Sequence, residues 1–226
     1  MTAKQQFFGQ VLGGLKERSA YFSRDSIQAA ADEAGLAVKR STLSVYLNQA
    51  VKQGLIHDAG RGWYSRLSEP VKLDVNLCSK LVRLIEKKFP LLDFHCWSTA
   101  QVNPWMHHLI GKGVTFVNVD AEAVEAVWET LKDAGYDAHM NPTGKAKEQF
   151  AVRGNTAVVR RRALGAPEEG HFSRIETVLV DLFMESERLN LMDREEFRQM
   201  ARKVVSEGRI CISEWMAYAT NRKQKW

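Results

Sequence analysis

An α+β fold is what this 226-residue sequence predicts. Three observations point there. Apolar residues recur at helical spacing in several separate segments. Between those segments lie short β-branched and aromatic runs, such as VTFVNVD at 114–120 and TAVVRR at 156–161. Apolar residues make up 45% of the chain and charged residues 26%, the balance of a globular protein that can bury a core.

In chain order, Phe7, Phe8, Val11, Leu12 and Leu15 make one stripe and predict a helix over 5–17. Tyr21–Phe22 is a short extended piece. Ser23 ahead of Arg24, Asp25 and Ser26 is a helix start, with a serine cap and an acid in the first turn. That helix carries Ile27, Ala30, Ala31 and Ala34 and stops at Gly35. After the turn LAVKR, Ser41 is the expected cap of a second helix. Its inward stripe is Leu43, Tyr46, Leu47, Ala50 and Val51, and Gly54 ends it. LIHDA, the turn Gly60-Arg61-Gly62 and WYSRL then form a hairpin packed by Trp63 and Tyr64. Helix, turn, helix and hairpin is the order of a winged helix-turn-helix. It is assigned to residues 1–69, with its core in 20–67.

Residues 67–73 predict a linker broken by Pro70, and a second domain is set at 70–226. It opens with an amphipathic helix over 75–89, bearing Leu77, Leu81, Leu84 and Ile85 and stopped by Pro90. Strands are expected at 92–98, 114–120, 136–140 and 156–161. A helix at 121–134 presents Val124, Val127, Trp128 and Leu131 on one face. From Ser173 the chain reads as helices at 173–188, 192–206 and 211–222. The second domain is thus an α/β domain ending in a helical bundle.

The second helix of the first domain must turn its outer face to a partner once its inner face is buried. The major groove of DNA admits one helix. The first turn and outer face offer Lys39, Arg40, Ser41, Thr42, Ser44, Val45 and Asn48, groups suited to phosphates and base edges. Arg61 sits at the hairpin tip, where an arginine can reach phosphate or the minor groove. The charge distribution agrees. Net charge is +5, and residues 1–72 hold 10 Lys/Arg against 6 Asp/Glu while the rest hold 22 against 21. Double-stranded DNA is the expected partner, and a protein-interaction role is the alternative for such a domain. A homodimer on DNA is the arrangement that reads an inverted repeat.

The chain carries few signs of catalysis. A metal-dependent nuclease needs an acid and a Glu-x-Lys on neighbouring strands. Asp120 ends a strand, but Glu86-Lys87-Lys88 lies on a predicted helix. Cys78, His95, Cys96, His107 and His108 lack zinc-ligand spacing. Cys96 is expected in the core and His95 half-buried on the opposite face of its strand, with His107 and His108 a helix-end pair packed on one side. Gly111-Lys112-Gly113 precedes a strand, so it reads as a turn rather than a phosphate loop, and no GxSxG occurs. Catalytic residues, metal and cofactors are therefore expected to be none. Arg160-Arg161-Arg162 ends a strand and reads either as a solvated sheet edge or as an anion contact. The stretch from Arg188 to Arg202, with Asp193, Glu196 and Arg198, reads as a solvated helix face, and NRKQKW as a basic tail. Three widely spaced cysteines imply neither a disulfide framework nor a zinc knuckle. No signal peptide and no run near the roughly 18 apolar residues of a membrane span is present, so a cytoplasmic, membrane-free protein is expected.

Four stretches carry a family resemblance: PWMHHLIGKGVTFVNVDAEAVEAVW, NTAVVRRRA, SRIETVLVDLFME and ISEWMAYATNRK. With the segment before them they cover roughly 20–222, and IETVLVD is the most characteristic piece. Here the chain resembles the AbiEi-type abortive-infection antitoxins, a family of predicted transcriptional regulators. The resemblance implies an antitoxin that represses its own operon through the N-terminal domain. It also implies a partner, a nucleotidyltransferase-type toxin encoded alongside, countered through the C-terminal domain. The alternative is a stand-alone winged-helix regulator with a sensing or protein-interaction C-terminal domain. A DNA-processing enzyme is the third reading.

Overall fold

The computed structural model describes residues 2–143, 148 and 150–223. The fold mixes α and β, with two sheets. The chain divides into two compact units. One is Met1–Val71 together with Val204–Met216, and the other is Lys72–Lys203 together with Ala217–Trp226. Among the described residues no helix is long and apolar enough to cross a membrane.

The first unit opens with α1 (Ala3–Gln6), a π-helical turn at Phe7–Leu12 and α2 (Gly13–Arg18). The single helix expected over 5–17 is therefore split by a wider turn, which still brings Phe7, Val11 and Leu12 inward. Then come β1 (Tyr21–Ser23), α3 (Arg24–Glu33), α4 (Arg40–Lys52), β2 (His57–Asp58) and β3 (Trp63–Ser65). Ser23 Oγ caps α3 by accepting from Ser26 N–H. Ser41 is not the cap of α4. Lys39 holds that position, and its carbonyl accepts from Leu43 N–H at 2.9 Å. Ser41 falls inside the first turn, exposed. The strands form an antiparallel sheet in the order β1-β3-β2. Ile27 and Ala31 of α3, Leu43, Leu47 and Ala50 of α4, Phe22 and Ile56 share one core with the N-terminal helix.

Residues 208–213 build into this unit, which the linear pattern does not announce. Tyr21 Oη donates to Gly208 O at 2.8 Å and accepts from Ile210 N–H at 2.9 Å. Arg209 exchanges backbone hydrogen bonds with Glu69 and Val71, and its guanidinium reaches Asp58 O and Ser68 O. The β2–β3 turn is clasped in the same way. Ile212 N–H donates to Ala59 O at 2.8 Å, and Arg61 N–H donates to Ser213 Oγ at 2.9 Å. Gly60 sits there at φ +99°, a conformation side-chain-bearing residues avoid.

The second unit contains α5 (Asn76–Lys88), β4 (Phe94–Ser98), β5 (Thr115–Val119), α6 (Val124–Asp133), β6 (Asp137–Met140), β7 (Thr156–Arg161), β8 (Glu168–Glu169) and β9 (Phe172–Ser173). Three further helices follow: α7 (Ile175–Leu189), α8 (Arg194–Glu207) and α9 (Ile212–Asn221). α8 ends, and α9 begins, in the first unit. The sheet order is β6-β7-β5-β4-β9-β8. β7 runs parallel to both its neighbours, and β4 pairs antiparallel with β5 and parallel with β9. Phe172–Ser173 is thus a strand, where a helix start at Ser173 was expected, and the helix begins at Ile175.

Side chains alternate across each strand. Phe94 and Cys96, Val117 and Val119, and Ala157 and Val159 point to one face. There Leu81 and Ile85 of α5 and Val127 and Leu131 of α6 cover them. The intervening residues, His95, Trp97, Phe116, Asn118, Val158 and Arg160, fall on the other face, and all are buried. α7 is buried around most of its circumference, including Glu176, Asp181 and Glu185. A helix apolar on nearly every side belongs in an interior, which explains the run IETVLVD.

Candidate functional site

The inner stripe of α4 is fixed by the core of the first unit, so its remaining face is available to a partner. Lys39, Arg40, Ser41, Val45 and Asn48 are exposed, with Val45 at 52%, and Thr42 is half-buried. These residues share the N-terminal two turns and one side of the helix, at i, i+4 and i+7 spacing from Ser41. Ser44 is placed differently. Its hydroxyl donates to Arg40 O at 3.0 Å and accepts from Arg24 Nη2 at 2.6 Å. Arg24 also donates to Arg40 O at 2.8 Å. Arg24 thereby ties the start of α3 to the start of α4, a positioning role that sequence spacing did not bring out. The Arg61 side chain is exposed while its backbone is clasped by Ser213.

The second unit holds a different kind of site. On the polar face of its sheet, Trp97 and Phe116 stand opposite each other on antiparallel strands. Their rings stack at 4.3 Å. Asn118 and Arg160 are neighbours on parallel strands. Arg160 Nη2 donates to Glu185 Oε2 of α7 at 2.5 Å, and Arg188 donates to the other oxygen of Glu185 at 3.0 Å. Asp181 accepts from Tyr218 Oη at 2.9 Å and faces Arg222 Nη2 at 3.4 Å. Burial pushes the Asp181 carboxyl up to about 6, against the opposing pull of Arg222 and Tyr218. All of these but Tyr218 border a cavity of about 550 Å³. The arginine run therefore does not lie on a sheet edge, since β7 is an interior strand. Arg160 faces inward to Glu185, Arg161 is exposed, and Arg162 pairs with Asp93 and Glu168. Asp181 and Glu185 were legible in principle. Two acids at i,i+4, set among the apolar residues of 178–184, signal buried, partnered charge.

A third cluster has the parts of a hydrolytic triad and not its access. His95 Nδ1 lies 2.7 Å from Ser173 Oγ, and His95 Nε2 lies 3.8 Å from Glu168 Oε2. His95 is 0% exposed rather than half-buried, and Ser173 is 4% exposed. A nucleophile must meet a carbonyl carbon, and this hydroxyl belongs to a buried residue. Burial, then the charge of Arg162, brings the imidazole down to about 4, so it is neutral at pH 7. Cys96 is in the core as expected, and Cys78 is buried beside it. His107 and His108 are both exposed, in a bend beyond the 3-10 turn at Thr99–Trp105, and not packed at a helix end. Among the described residues no group of three or more His, Cys, Asp or Glu side chains is placed to hold a metal ion.

The molecule is therefore a two-unit α+β protein. One unit carries an exposed polar helix face, and the other an arginine-lined cavity. Residues 42–226 match DUF6577, a family of unknown function, and the chain belongs to that family. No curated protein matches it.

Proposed function

We propose that this protein is a DNA-binding transcriptional regulator acting as the antitoxin of an abortive-infection system. In this reading the first unit is a winged helix-turn-helix that represses its own operon, and α4 is the helix that enters the major groove. The exposed face of α4 carries the proposal. Lys39 and Arg40 lie at the turn that approaches phosphates, while Ser41, Val45 and Asn48 follow on the side that approaches base edges. An exposed valine among polar groups suits contact with a thymine methyl. Arg61, on a turn whose backbone is tied down, supplies a third cation beside the duplex. The antitoxin role, and a nucleotidyltransferase-type toxin as partner, come from the AbiEi-type resemblance.

Fluorescence anisotropy with duplex from upstream of its own gene tests the DNA reading. Lys39→Glu with Arg40→Glu should weaken binding at least tenfold and lower the slope of log affinity against log salt by about 2. Unchanged affinity, with the fold intact by circular dichroism, refutes the assignment. Co-expression with the neighbouring reading frame tests the antitoxin role, since rescue of growth is expected from an antitoxin alone. A stand-alone regulator with a sensing domain is the second reading, favoured by the cavity in the second unit.

A further inference from the structure

We infer that the cavity of the second unit binds a phosphate ester of nucleotide size. Three side chains in its wall keep a buried polar atom without a hydrogen-bond partner: Trp97 Nε1, Asn118 Nδ2 and Arg160 Nε. All three atoms are donors, and their residues are at most 8% exposed. Buried donors are ordinarily satisfied, and three unpaired ones in residues of one wall favour an acceptor-rich occupant there. They come from β4, β5 and β7 on one face of the sheet, so the sheet register itself holds them together.

The charge of the wall has the same sign. Its two carboxylates are already engaged, Asp181 by Tyr218 and Arg222, and Glu185 by Arg160 and Arg188. Arg161 and Lys223 also line the cavity and pair with no acid among the described residues. The walls thus offer an excess of positive charge and of N–H donors, the combination that recognises phosphate. A volume of about 550 Å³ exceeds what a lone phosphate needs and matches small-molecule sites. The inference does not rest on DNA binding by the first unit.

Isothermal titration calorimetry on the full chain, with ADP and adenosine as probes, decides it. Saturable binding of ADP and none of adenosine is expected. Arg161→Glu, at an exposed position, should weaken ADP binding roughly tenfold or more, as one charged contact is reversed. Asn118→Leu removes one orphan donor at similar volume and should also weaken it, with a thermal melt confirming folding. If Asn118→Leu fails to fold, Arg161→Glu decides alone. No saturable ADP binding at millimolar concentration overturns the inference. So does equal affinity for adenosine, or ADP affinity unchanged by Arg161→Glu.

Discussion

Replacing Asp181 by asparagine isolates the consequence of placing a carboxyl inside the second unit. Asparagine keeps the shape and the oxygen that accepts from Tyr218 Oη, and removes the titration. In the folded chain this carboxyl titrates near 6, against 3.8 for the ordinary group, because burial outweighs the pull of Arg222 and Tyr218. The folded protein thus holds this proton more tightly than the unfolded one. The resulting contribution to stability is fully present below pH 3.8 and is lost as pH rises through 6. A difference of this size between the two pKa values amounts to ~3 kcal/mol. Urea unfolding of both proteins, followed by circular dichroism from pH 4 to pH 8, reads it directly. The stability of the wild type relative to Asp181→Asn should fall by ~2 kcal/mol between pH 4 and 7, the rest of the ~3 kcal/mol being lost below pH 4, and be flat above. A difference independent of pH would refute the reasoning. A difference growing in the wild type's favour with rising pH would show that Arg222 and Tyr218 outweigh desolvation.

Two further outcomes follow from burial. Cys78 and Cys96 are buried, and burial pushes their thiols up, Cys78 to about 12, whereas Cys211 is half-buried. Ellman's reagent should titrate one thiol rapidly in the native protein and three in guanidinium, and rapid reaction of all three natively would contradict the packing. A Cβ on Gly60 would overlap Ser213 Oγ and Cys211 Sγ, at φ +99°. Gly60→Ala should therefore destabilise the first unit by about 1–3 kcal/mol, less in a Ser213→Gly background, while Gly111→Ala, with open space around it, should cost little. Equal melting temperatures for Gly60→Ala and the wild type would remove the clasp from the argument.

Much of the local structure is legible in the sequence. The strand at Thr156–Arg161 has the bounds its residues predict, and the serine cap at Ser23 and the inner stripe of α4 are where periodicity puts them. Sequence places the start of α4 two residues late because Ser41 is a good cap by type. The helix instead extends back to Arg40, whose carbonyl is held by Arg24 across the fold. The exposed face of α4 was readable for the same reason as its stripe, since helical geometry relates the two. The cavity was not, because its walls come from strands and helices far apart in the chain.

By itself the sequence determined the elements and their inward faces, because spacing and capping depend on neighbours a few residues away. Tertiary structure alone decided three things. Strand order put β7 in the interior and turned Arg160 toward Glu185. Residues 208–213 return to clasp the turn at Gly60. The charges of α7 are buried against partners as distant as Tyr218 and Arg222. Each depends on contacts between residues remote in the chain, and linear periodicity carries no information about those.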